Sequence, residues 1–305
     1  MIRLGLCCKF SKEPIRFRTT TATYLKKLAL NGTDPKIHLS EIIKHNVTSL
    51  EAAITYCSNN HIGSFRIGSD FLPSVTHPDV KYTLNCLPDG AKIKSDLIKC
   101  KKLAERKNIR LTFHPSQFVI LNSPNEQVVQ NAIEDLEYHS ALAELVGADV
   151  INIHVGGAYD DKASALKRFE ENFVRLSKGV QKRLTLENDD KTYCPAEVLP
   201  LCQTLNIPFV YDVHHHRCHP DNLSIDEATD KALKTWDREP LFHISSPLEG
   251  WGNPKPFRHH DFIDPNDFPK YWKSLENLTI EIEAKAKEIA IEKIYQHLEK
   301  EIPLS

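Results

Sequence analysis

One alternation runs the length of the chain and leaves few folds open. Short apolar, β-branched runs recur, and each is followed by a longer stretch with helical spacing. Strands are expected at 2–6, 64–67, 110–114, 150–154, 183–187, 208–212, 241–245 and 278–283. Helices fit 41–57, 96–107, 127–146, 162–178, 196–205, 225–236, 266–275 and 286–299, with Ser40 and Ser95 as N-caps of the first two. A helix between consecutive strands makes those strands parallel neighbours. Eight such units closing on themselves form an α/β fold, the (β/α)8 TIM barrel, and 305 residues suit one such domain spanning 1–305. Long connections at 6–39, 68–93 and 246–265 follow strands, so they lie on the active face of such a barrel.

Composition narrows the partners. Charged residues are 26% and the net charge is −2, which excludes a uniformly polybasic nucleic-acid binder but leaves room for a local basic groove. The apolar runs are too short to cross a bilayer, and MIRLGLCCKF reads as a strand rather than a signal peptide. Eight cysteines without a C-x-x-C pair point to reduced thiols in the cytoplasm.

The ends of the expected strands carry the chemistry. His114 closes LTFHP, His154 lies in INIHVGG, Glu187 in LTLEND and Asp212 with His215 in YDVHH. His243 follows in FHISSP and Glu283 in IEIEAK. Any one of them could be a capped core position, but six consecutive strands deliver them to one rim. Unpaired, these carboxylates would repel and the imidazoles would lack acceptors; divalent cations resolve both. Mixed nitrogen and oxygen donors without cysteine suit Mn, Fe, Co or Zn better than Ca or Mg. A set of this size can hold about two or three ions, the recurring arrangement for phosphodiester displacement. In PFVYDVHHHRCH, Asp212 and His215 are the expected ligands, with His214, His216 and His219 as neighbours.

Taken in order, MIRLG, FRIGSDFLPSVTHP, FHPSQFV, NIHVGGAYDDK, LENDD, YDVHHH, HISSP, HHDFI and IEIEAK resemble the UV damage endonuclease family, a DNA repair group built on the barrel of endonuclease IV and xylose isomerase. The resemblance implies a Mn²⁺-dependent nick on the 5′ side of UV photoproducts in double-stranded DNA, without ATP. Cyclobutane dimers and 6-4 products would be substrates, and abasic sites often so. It implies metal ligation by His114, His154, Glu187, Asp212, His215, His243, His259 and Glu283, with His259 preferred to His260. Glu187, His243 and His77 are expected in catalysis, His77 near the scissile phosphate, and Gln117 and Phe118 are expected to enter the duplex. Arg66 and the backbone N–H groups of Gly156 and Gly157 are further expected DNA contacts. Mg²⁺, Co²⁺ or Zn²⁺ could replace Mn²⁺. A monomer associated with the nucleoid, with no membrane partner, is expected.

The chain departs from relatives at Leu241, where they commonly carry lysine, and at Phe118 and Leu6, where tyrosine is frequent. Three rivals remain: a metal-dependent sugar isomerase, which needs a closed pocket; a lesion-binding protein with impaired catalysis, which has no need of a full ligand ring; and a structural metal site, which would be closed and single.

Overall fold

The computed structural model describes residues 1–302 and Leu304. Its strands are β1 (Ile2–Cys7), β2 (Ser64–Ile67), β3 (Arg110–Phe113), β4 (Val150–His154), β5 (Leu184–Glu187), β6 (Phe209–Asp212), β7 (Leu241–Ile244) and β8 (Leu278–Ile282). They close into one barrel in sequence order, and every pairing is parallel. This is the expected (β/α)8 barrel.

Strand alternation sorts the side chains into two populations. Leu4, Leu6, Phe65, Ile67, Phe113, Ile153, Leu186, Phe242 and Ile282 face the surrounding helices and join the main hydrophobic core. The opposite face supplies Ser64, Thr112, Asn152, Thr185, His243 and Glu281, all buried and polar. Gly5 is paired with both Ser64 and Glu281, and a Cβ on it would lie 3.0 Å from Glu281 Cγ. Its bare backbone makes room for that carboxylate. At the N-terminal end of the interior, Val150, Val210 and Leu241 form a separate apolar cluster backed by Trp236. Leu6 belongs to the outer core, so a side chain there does not reach a phosphate at the rim.

The helices are α1 (Ala22–Leu30), α2 (Pro35–Asn59), α3 (Gly90–Lys107), α4 (Glu126–Val146), α5 (Lys162–Phe173), α6 (Lys178–Arg183), α7 (Pro195–Leu205), α8 (Val213–Cys218), α9 (Ile225–Leu233) and α10 (Glu288–Leu298). Several differ from expectation. The connection after β1 holds α1, capped by Thr21, and α2 starts earlier than Ser40 because Asp34 caps it and Pro35 takes its first turn. Ser95 lies inside α3. The helix expected at 162–178 ends at Phe173, and Ser177 caps a new one, α6. At 266–275 Pro269 separates two 3-10 turns, Pro265–Asp267 and Tyr271–Ser274. Among the described residues no helix is long and apolar enough to cross a membrane.

Candidate metal centre at the rim of the barrel

Glu187 ends β5 at the middle of the polar rim. Its Oε2 lies 3.1 Å from His114 Nε2 and 3.2 Å from His243 Nδ1. Its Oε1 lies 3.2 Å from His215 Nδ1. Three overlapping groups each bring ligand atoms within 4.8 Å of one another: His114, Glu187 and His243; Glu187, Asp212 and His215; Asp212, His243 and Glu283. His154 borders them, its ring 5.3 Å from that of His114 and 5.7 Å from that of His215. His259 stands on the outer side, with Nδ1 3.8 Å from Glu283 Oε2. His260 turns away, its Nδ1 accepting from the N–H of Phe262.

The donor set fits divalent cations. His154 Nδ1, Glu187 Oε1, Asp212 Oδ2 and Nδ1 of His243 are buried without a hydrogen-bond partner among the described residues. Buried polar atoms left in that state are costly, and a shared cation satisfies them together. Electrostatics agree. Burial works against charge on Glu187, yet His243 and His154 hold its carboxyl well below the usual range. Burial likewise opposes charge on His243, and Glu187 with Glu281 and Glu283 outweighs it, so the imidazolium is strongly favoured. His215 is pushed up to about 10 against burial by Asp212 and Glu187. These protons stand where cations would.

Local structure explains the histidine run. Asp212 ends β6, and its Oδ1 accepts the N–H of His215 at 2.8 Å, capping α8. The helix then points successive imidazoles in different directions. His215 faces Glu187, and its Nδ1 also lies 3.0 Å from the carbonyl of Asn188. His216 bridges Tyr211 Oη at 2.6 Å and Asp221 Oδ1 at 3.1 Å. His214 packs between Trp251 and His259, and burial depresses it to about 4.

Several supporting residues escaped the sequence reading. Asn152 accepts from Thr185 Oγ1 and donates to Glu187 Oε2, fixing that carboxylate. Asn188 exchanges hydrogen bonds with the backbone of Asp212. Glu281 receives Thr112 Oγ1 at 2.5 Å and lies 3.1 Å from His243 Nε2. The signal was the two-residue period: Thr112, Asn152, Thr185 and Glu281 each precede a rim residue by two, on the same strand face.

Arg66, an expected DNA contact, is turned toward the acids of the rim. Its Nη1 lies 2.6 Å from Glu283 Oε1 and 3.2 Å from Glu281 Oε2. The cause is register: β2 turns residue 66 to the interior, opposite two acids that it shares with His243. Burial opposes charge on Glu281 and Glu283, and Arg66 lowers both carboxyls below their ordinary range. Gln117 and Phe118 are exposed on the loop after β3, and Phe118 presents 76% of its surface to solvent. His77 sits on the loop after β2, where its Nδ1 accepts from Asp79 N at 3.2 Å; it does not join the three metal groups. Gly156 adopts φ +111°, and a Cβ there would meet Asn122 Oδ1 at 2.4 Å. Gly157 uses its carbonyl to accept from Asn122 and Tyr193. α5 begins only at Lys162, so neither glycine opens a helix.

Comparison with known proteins follows the same outline. The family model described as UV-endonuclease UvdE matches residues 2–303. A UV DNA damage endonuclease of Bacillus velezensis is 34% identical over 305 residues, covering 95% of this chain and 91% of that protein. The crystal structure of SacUVDE superposes with a TM-score of 0.86 at 27% identity, covering 98% of this chain and all of the other. A D-psicose 3-epimerase from Clostridium cellulolyticum H10 shares the barrel at a TM-score of 0.58 but is 12% identical, covering 98% of this chain and 97% of that one. That likeness is one of fold alone. With the family model spanning nearly every residue and a relative above 30% identity along both chains, the chain belongs to the UV-endonuclease UvdE family.

Proposed function

We propose that this DNA repair endonuclease nicks double-stranded DNA immediately 5′ of UV photoproducts, leaving 3′-hydroxyl and 5′-phosphate ends, with cyclobutane dimers, 6-4 products and abasic sites as substrates. The reading is carried by one observation: ligand-type atoms of β3 to β8 converge in a buried cluster that lacks enough internal partners. Mn²⁺, or Mg²⁺, Co²⁺ or Zn²⁺ in its place, would be held by His114, His154, Glu187, Asp212, His215, His243, His259 and Glu283. When bound, such ions supply Lewis-acid polarisation of the phosphate and a water of lowered pKa. The chain works on one domain, 1–305, as a monomer and without ATP.

The protein's own groups do the rest. Asn152 keeps Glu187 oriented, and Asp212 fixes α8 so that His215 meets Glu187. Glu281 contacts Nε2 of His243 and leaves Nδ1 for the centre. Lesion reading falls to the loop after β3. A damaged pair stacks poorly, so extruding it costs less than extruding sound bases. Phe118, kept in water at an energetic cost, stacks in the vacated space, and Gln117 bonds the orphaned bases. His77 approaches the scissile phosphate from its own loop, and the backbone of Gly156 and Gly157 approaches the strand.

The test is a nicking assay on duplex DNA with one defined thymine dimer, with Mn²⁺ and with chelator. Wild type should cut only with metal and only beside the lesion, and Glu187→Ala should be folded and inactive. Full activity in chelator would refute the metal reading. Equal cutting of undamaged duplex would refute the lesion reading.

A further inference from the structure

We propose that a cavity beside Glu283 is a subsite for one phosphodiester flanking the bond to be cut, and that Lys285 and Lys287 hold it. The proposal rests on the endonuclease reading above and extends it to the strand's path. The cavity has a volume of about 430 Å³, and its walls include Arg66, Arg258, Lys285 and Lys287 against a single acid, Glu283, with His259 at its edge.

The four cations are not equivalent. Arg66 is committed to Glu281 and Glu283, and Arg258 pairs with Glu249. Among the described residues, no side-chain hydrogen bond or ion pair engages Lys285 or Lys287. Two lysines without an ion partner therefore line a cavity that already touches the metal centre. An anion placed there gains their field and meets little opposing charge, because the one acid is offset by Arg66. A phosphodiester fits this description: it carries one negative charge, and its non-bridging oxygens accept from two donors.

The walls are also held in place. Lys285 N donates to His260 O at 3.1 Å, and Ala286 N donates to Asp261 O at 3.0 Å, so the lysine segment is tied to the segment carrying His259. Lys287 adopts φ +57° and ψ −123°, a conformation a lysine keeps only when its surroundings impose it. The next residue, Glu288, accepts the N–H groups of Ser11, Lys12 and Glu13 at 2.7, 2.6 and 3.2 Å, which clamps the loop after β1 to the start of α10. The lysines thus project from a braced turn, a placement suited to registering a strand relative to the cluster.

The experiment measures binding of metal-free enzyme to thymine-dimer duplexes that carry one neutral methylphosphonate, moved stepwise along the damaged strand. Wild type should lose affinity at one phosphate beside the nick position. Lys285→Ala/Lys287→Ala should be indifferent to that same replacement, and its salt slope should fall by about one for each lysine. Lys285→Arg/Lys287→Arg should restore the sensitivity, and Mn²⁺ titration without DNA should match wild type. If the double variant does not fold, Lys285→Ala at its exposed position is read alone, with half the loss of slope expected. Identical methylphosphonate profiles and salt slopes for wild type and variant overturn the subsite. A wild type that binds but never nicks with Mn²⁺ overturns the endonuclease reading instead.

Discussion

Replacing Glu281 by glutamine isolates the second layer of the centre. Glu281 Oε1 accepts from Thr112 at 2.5 Å, while Oε2 faces two donors, His243 Nε2 at 3.1 Å and Arg66 Nη1 at 3.2 Å. A glutamine in this position can keep the Thr112 bond with its carbonyl. Its amide then points two N–H groups at the imidazole and at a guanidinium that cannot accept. The imidazole must turn Nε2 into an acceptor, which moves its proton to Nδ1, the atom 3.2 Å from Glu187. That nitrogen is then closed to a metal. Loss of such an orienting carboxylate costs about 10–100-fold in metal affinity, equivalent to about 1.4–2.8 kcal/mol. Calorimetric Mn²⁺ titration of the DNA-free protein should show that weakening, with secondary structure retained by circular dichroism. Glu281→Asp, which keeps the charge, should lose less. Equal Mn²⁺ affinity for wild type and Glu281→Gln would refute the assignment of Nδ1 as the ligand atom.

Three other outcomes are expected. Gln117→Ala/Phe118→Ala should lower the ratio of damaged to undamaged duplex affinity, at about 1–3 kcal/mol per lost stacking contact, with Mn²⁺ binding unchanged; an unaltered ratio removes both residues from lesion reading. Leu241→Lys buries an ammonium against Val150 and Val210 two residues below His243, so metal-free stability should fall by at least about 3 kcal/mol and the Mn²⁺ dependence of nicking should shift; superimposable titrations would place residue 241 out of reach of the ions. Asp221 accepts from Ala196 N and Leu223 N, and these donors, with His216, lower its carboxyl despite burial. A depressed folded pKa means that its stabilisation is full above the unfolded value near 4 and is lost as pH falls through the folded value. Asp221→Asn should therefore cost about 1 kcal/mol at neutral pH and almost nothing in strong acid, as denaturant titrations at the two pH values would report; a pH-independent difference would deny the ionised acceptor.

The barrel was legible because strand and helix periods differ and because each outer strand face is apolar. The rim was legible because apolar strands ending in His, Glu or Asp are conspicuous: His114, Glu187, Asp212, His215, His243 and Glu283 all fall into one cluster. The supporting layer was less visible. Thr112, Asn152 and Thr185 are ordinary strand residues in isolation, and only closure of the barrel makes their shared face an interior. Arg66 was expected as a phosphate contact among the local lysines and arginines, and what the sequence did not show is the strand register that also pairs it with Glu281 and Glu283. The helix expected at 266–275 failed on Pro269, whose missing N–H outweighed the apolar spacing around it.

The apolar layer of Val150, Val210 and Leu241 has a kinetic consequence. It closes the barrel beneath the ligands, where Arg110 and Asp149 also pair across the base. The centre is therefore a blind well with one mouth, and that mouth is the face on which a duplex would lie. Ions and water can trade places with bulk solvent only while the mouth is open. A bound duplex would act as a stopper, so an ion would have to be loaded before DNA binds, and one held beneath the strand would be retained until the nicked product leaves.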